Sequence, residues 1–144
     1  MPINFPNTPA NNELYFDTQS NIQYKYESQN GYWKAVSNNA LGISPIAEKT
    51  DNYTLALADS GVLILMNATT NKTITIPANS SVSFPIGTRI DLMRFGTGNV
   101  NVAITTDTLR STDNSINLKS QYSVAGLIKV KNTTWILSGD IGSI

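Results

Sequence analysis

Six aspartates, Asp51, Asp59, Asp91, Asp107, Asp113 and Asp140, are the side chains best placed to do chemistry in this sequence. Two carboxylates flanking a glycosidic bond suffice for its hydrolysis, so an acid pair from this set would make a small carbohydrate-active enzyme. Most of the six sit among turn-forming residues, where Asp is favoured for the hydrogen bonds it makes to nearby backbone. Asp91 differs, lying in an apolar stretch beside Arg89 and Arg94, and reads as half of a buried or interfacial ion pair. Ser111-Thr112-Asp113-Asn114 comes nearest to an oxygen-ligand cation loop. It lacks the alternating acids of such a loop and reads as a turn.

The remaining repertoire is thin. There is no His and no Cys among the 144 residues, which excludes a Ser-His-Asp triad, a zinc site, a thiol nucleophile and any disulfide. Gly96-Thr97-Gly98 lacks the further glycine and the helix of a phosphate-cradling loop. Five Asn-x-Ser/Thr sequons, at Asn52, Asn67, Asn71, Asn79 and Asn132, are expected by chance in a chain so rich in Asn and Thr. Ten basic and ten acidic residues give a formal net charge of +0, and only 14% of residues are charged, against about 25% in an ordinary soluble domain. A cationic excess is what neutralises nucleic-acid phosphates or anionic lipid, so neither partner is expected. The expectation is therefore no catalytic residue, no cofactor and no metal, with binding residues that the sequence does not single out.

The longest apolar run, Val62 to Met66, is far short of the roughly 20 residues that span a bilayer. The opening Met1-Pro2-Ile3-Asn4-Phe5-Pro6 has neither the basic nor the apolar region of a secretory signal. Synthesis in a cytoplasm without membrane insertion is expected.

The elements that would position these residues are strands. Helical periodicity is almost missing, and short β-branched and aromatic runs recur between Gly, Pro, Asn and Asp. Pro2, Pro6 and Pro9 make residues 1–12 an extended arm, with Ile3 and Phe5 in want of a surface to cover them. Residues 13–36 read as a three-stranded meander, with a type I′ turn at Asn30-Gly31 placing Glu27 opposite Lys34 and Tyr26 opposite Ala35. The rings of Tyr15, Phe16, Tyr24, Tyr26, Tyr32 and Trp33 fall in this module. They read as its core, with an exposed sugar-stacking or protein-contact surface as the alternative. Breakers at Asn38-Asn39, Gly42 and Pro45 put a boundary near residue 46, dividing the chain into 1–46 and 47–144. The second part reads as about seven short strands in a sandwich or barrel-like domain. Among them, Val100, Val102 and Ile104 share one face, and a last hairpin turns at Lys131-Asn132. The fold class is all-β, and internal self-similarity is too weak to define a repeat.

Several stretches resemble a module common in bacteriophage virion proteins. They are Tyr53-Thr54-Leu55-x-Leu57-Ala58-Asp59-x-Gly61, Thr73-Ile74-Thr75-Ile76-Pro77 and Phe84-Pro85-Ile86-Gly87-Thr88-x-Ile90. The match continues, in order, through Phe95-Gly96-Thr97-Gly98, Leu109-Arg110-Ser111, Gln121-Tyr122-Ser123 and Trp135-x-Leu137-x-Gly139-Asp140, covering about residues 50–141. The first part is similar to a short phage structural repeat through Glu13-Leu14-Tyr15-Phe16-Asp17 and Gly31-Tyr32-Trp33. The resemblance implies a non-enzymatic, β-rich, trimeric virion component of the tail fibre type, located near the tip of an appendage. It implies partners in its own copies, in other virion proteins reached through the N-terminal arm, and in a host surface glycan or protein. At 144 residues a long fibre shaft is not expected, so a short fibre tip, an adaptor and a head (capsid) decoration protein all fit the length.

Overall fold

The computed structural model describes residues 4–17, 22–37 and 44–143. These form two compact units, Met1–Ser44 and Pro45–Ile144. Both are built of strands, with two single-turn 3₁₀ segments and no longer helix among the described residues, so the chain is all-β.

The first unit is an antiparallel meander in the order β1 (Leu14–Asp17), β2 (Ile22–Glu27), β3 (Tyr32–Ser37). Tyr15 lies opposite Tyr24, and Tyr26 opposite Trp33. Strand alternation therefore puts these four rings on one face. Phe5 covers that face. Its ring stacks on Trp33 at 5.2 Å and meets Tyr15 and Tyr24 edge-on at 5.4 and 5.0 Å. For Phe5, then, the premise that the arm lacks a surface within its own chain does not hold; Ile3 lies outside the described residues.

The hairpin between β2 and β3 departs from expectation. Glu27 pairs with Tyr32, Tyr26 with Trp33 and Lys25 with Lys34, so residues 28–31 form a four-residue loop. The amides of Asn30 and Gly31 both donate to the Glu27 carbonyl, and Gly31 alone takes a positive φ, of 66°. A type I′ turn needs positive φ at both central residues, and Asn30 does not supply it. The true register differs by two residues, which preserves the faces. Glu27 and Lys34 still meet diagonally, at 3.7 Å.

The second unit is a sandwich of two mixed sheets. Its strands are β4 (Ile46–Lys49), β5 (Tyr53–Thr54), β6 (Leu63–Met66), β7 (Lys72–Ile76), β8 (Arg89–Arg94) and β9 (Val100–Ile104). They continue as β10 (Thr108–Ser111), β11 (Asn117–Leu118), β12 (Val124–Lys131), β13 (Thr134–Gly139) and β14 (Ile141–Gly142). The larger sheet has the order β10-β13-β12-β8-β6-β4, and the smaller β14-β11-β9-β7-β5. From β4 to β9 the chain alternates between sheets, and β4-β6-β8 and β5-β7-β9 are parallel neighbours. A parallel pair needs a crossover; here each crossover is itself a strand of the opposite sheet, so the chain winds as a flattened coil.

An asparagine marks the entry to each smaller-sheet strand of that coil. Asn52 precedes β5, Asn71 precedes β7 and Asn99 precedes β9. Asn52 Oδ1 accepts the Thr73 amide at 2.9 Å and Asn71 Oδ1 accepts the Asn99 amide at 3.1 Å, tying each turn to the next. The coil closes on antiparallel strands, with β12 against β8 and with the last hairpin, β12–β13, turning at Asn132-Thr133, one residue later than expected.

Alternation supplies the core. Ile64, Met66, Ile90, Leu92, Leu127, Trp135 and Leu137 of the larger sheet meet Ile74, Ile76, Val100, Val102 and Leu118 of the smaller one. Each large apolar side chain contributes about 1.5–3 kcal/mol by leaving water. Strands β4, β10, β11 and β14 have two to four residues each and were not expected.

Candidate functional site

Four of the six aspartates hold hydrogen bonds within the sandwich unit. Asp59 is buried, accepting the Tyr53 hydroxyl at 2.9 Å and the Ala56 amide at 2.7 Å, which fixes the 3₁₀ turn Leu57–Asp59. Burial, then the bond and charge of Asp59, hold the Tyr53 hydroxyl above its ordinary pKa. Asp51 is exposed and accepts Lys72 Nζ at 2.8 Å, and chiefly that bond holds its carboxyl below the ordinary value. Asp107 accepts the Asn79 amide at 2.9 Å, and Asp140 the Ser123 hydroxyl at 2.6 Å. Asp113 sits in a left-handed turn with φ 54°, in keeping with the turn expected there.

The buried ion pair expected of Asp91 is not formed among the described residues of the chain. In β8, Ile90, Leu92 and Arg94 face inward, whereas Arg89 and Asp91 share the outer face. Asp91 and Arg94 are thus on opposite sides of the sheet and form no pair. Ion pairs do form elsewhere, between Lys34 and Glu27 and between Lys72 and Asp51. Arg94 instead donates to the Thr97 carbonyl at 2.8 Å. A groove of about 340 Å³ beside the β2–β3 loop holds one acid, Glu27. A second, of about 580 Å³ beside β14, also holds one, Asp113. Neither assembles the carboxylate pair that glycoside hydrolysis requires. No group of three or more potential metal-ligating side chains occurs among the described residues.

The rings of Tyr15, Tyr24, Tyr26 and Trp33 are half-buried against each other and Phe5, while Tyr32 is exposed. The Phe16 side chain lies outside the described residues.

A second aromatic site lies in the sandwich unit, where β8 ends and β12 begins. Tyr122 has φ 69°, a conformation that costs a bulky L-residue about 1–3 kcal/mol. Its amide donates to the Arg94 carbonyl at 2.6 Å, and the Arg94 amide donates to the Ser123 carbonyl at 3.0 Å, so the two chain segments clamp this conformation. The result is display. Tyr122 is 60% exposed, its ring edge-on to Phe95, itself 41% exposed, at 5.8 Å. Gln121 Nε2 donates to the Phe95 carbonyl at 3.0 Å, and Val124 continues the apolar surface. On the other side of Phe95, Gly96 and Gly98 let two loops touch, since a Cβ on either would overlap the backbone of Ala68 or Thr70. Gly96-Thr97-Gly98 is thus a site of close chain approach.

Strand β12 starts at Val124, so Tyr122 belongs to the preceding turn. Nothing in an aromatic residue signals a left-handed backbone, which is Gly and Asn territory. No protein-family model matches the chain, and no curated protein matches its sequence.

Proposed function

We propose that this chain is a non-enzymatic bacteriophage virion protein of the tail fibre type, contributing to appendage assembly and to contact with the host surface. The virion assignment rests on the ordered motifs that resemble the phage appendage module. Those motifs include residues with clear work in the sandwich: Tyr53 and Asp59 bond each other, Phe84 packs edge-on against Trp135, and Gly96 and Gly98 permit a close approach.

One observation supports host contact above all, the strained and exposed Tyr122 beside exposed Phe95. Folding gains little from holding a tyrosine in a costly conformation with its ring in water, whereas a partner gains a rigid amphipathic anchor at low entropic cost. Tyr, Phe and Gln together suit a glycan or a protein surface. In a trimeric appendage three such sites act together, so modest single-site affinity becomes avidity. With few charges available, that contact depends weakly on salt.

Adsorption competition tests the reading. The purified chain, added to host cells ahead of the phage that encodes it, is expected to bind the cells and lower adsorption, at low and at moderate salt alike. Absence of both binding and competition would overturn the attachment role.

A further inference from the structure

We infer that Lys129 and Asn79 are the two partners of an intramolecular isopeptide bond. Lys129 is the misfit of the sandwich core. It follows Ala125 and Leu127 on the inward face of β12 and is 1% exposed, where the neighbouring inward positions are apolar. Its Nζ donates to two neutral oxygens, the Phe84 carbonyl at 2.7 Å and Asn79 Oδ1 at 2.5 Å. Phe84 and Trp135 pack edge-on beside it, with Nζ 5.9 Å from the Trp135 ring centre, so apolar groups shield the amine.

Asn79 is held in place from its other end. Its backbone amide donates to Asp107 Oδ2 at 2.9 Å, and the residue is half-buried, which ties the loop after β7 to the turn between β9 and β10. Asp107 is a positioning residue in this arrangement. A C=O bond spans about 1.23 Å, so Nζ, 2.5 Å from Oδ1, lies within about 3.7 Å of the Asn79 Cγ. The buried amine is thus held next to the carbon it would attack, and a small shift of Nζ out of its hydrogen bond to Oδ1 brings it onto the carbonyl face, the proximity that an intramolecular reaction needs.

The step balances without an outside reagent. Nζ forms a bond to Cγ of Asn79, the bond from Cγ to Nδ2 breaks, and the side-chain nitrogen leaves as ammonia. The proton that the lysine ammonium gives up departs with it as ammonium. Nothing is oxidised or reduced. The product is a secondary amide joining positions 50 residues apart. In a chain without cysteine it would serve the role of a disulfide, restricting the unfolded ensemble.

Intact-mass measurement on the purified full chain tests this, followed by proteolysis and fragmentation. The expected result is a mass below that of the sequence by one ammonia, with a branched peptide containing both Asn79 and Lys129. Lys129→Met keeps an apolar-compatible stem and removes the amine, and that variant is expected at its full sequence mass. Asp107→Ala, which removes the acceptor that positions Asn79, is expected to slow or reduce the ammonia loss at unchanged circular dichroism. A folded wild-type chain that stays at its sequence mass on prolonged incubation overturns the inference. So does an ammonia loss confined to a single unbranched peptide, which would be a cyclised asparagine.

Discussion

Replacing Tyr122 by Asn separates the needs of the fold from those of contact. Tyr122 holds φ 69°, and Asn adopts that region with far less strain, so the substitution returns about 1 kcal/mol. It gives up the edge-on contact with Phe95, worth about 0.5–1.5 kcal/mol when desolvated and less between two exposed rings. The amide that donates to the Arg94 carbonyl survives the change. The two effects offset, and stability is expected to stay within about 1 kcal/mol of wild type, a shift of no more than about 4–8 °C for a domain of this size. Adsorption competition by Tyr122→Asn is expected to fall at least tenfold, because the displayed ring is gone. Chemical denaturation and the competition assay on the same preparation give both readings. A loss of more than about 2 kcal/mol would show that the ring is structural. Undiminished competition would refute its role in contact.

Three further outcomes are expected. Gly98→Ala drives a Cβ into the backbone of Thr70, which cannot swing aside as a side-chain tip would; it is expected to cost about 1–3 kcal/mol, read from the urea midpoint, and an unchanged midpoint would contradict the close approach. Tyr53 carries a raised pKa in the folded chain relative to its ordinary 10.0, chiefly through burial; its contribution is fully present below pH 10 and is lost as pH rises through the folded value. Stability measured against pH is expected to fall less steeply on the alkaline side in Tyr53→Phe, and identical slopes would rule this out. Phe5→Ala uncovers the ring face of the meander, at a cost of about 2 kcal/mol for a half-buried phenylalanine. Red-shifted tryptophan emission, independent of protein concentration, is the expected sign, and an unmoved spectrum would place the covering group elsewhere.

The all-β class was legible because alternation is written directly into β7 and β9; Val100 and Val102 are buried on the shared face that their spacing implies. The coil was not legible, since its turns are matched by register and by single asparagines at Asn52, Asn71 and Asn99, not by a repeated sequence. The β2–β3 hairpin slipped by two because Asn30-Gly31 suggested a two-residue loop, while the glycine alone supplies the positive φ of a longer one. The buried pair expected of Asp91 could not have used Arg94, since residues three apart in a strand face opposite ways. Lys129 and Tyr122 gave no warning at all. A lysine in an alternating strand reads as outward-facing, and a tyrosine before a strand reads as part of it. In both, tertiary context decides against local preference.

The virion assignment faces its most direct test in the composition of purified particles of the encoding phage, measured by quantitative mass spectrometry against the major capsid and tail proteins. The chain is expected in every particle at a low copy number that is a multiple of three and follows tail symmetry. A copy number following capsid stoichiometry would make it a head decoration protein, and absence from the particle would contradict the assignment outright.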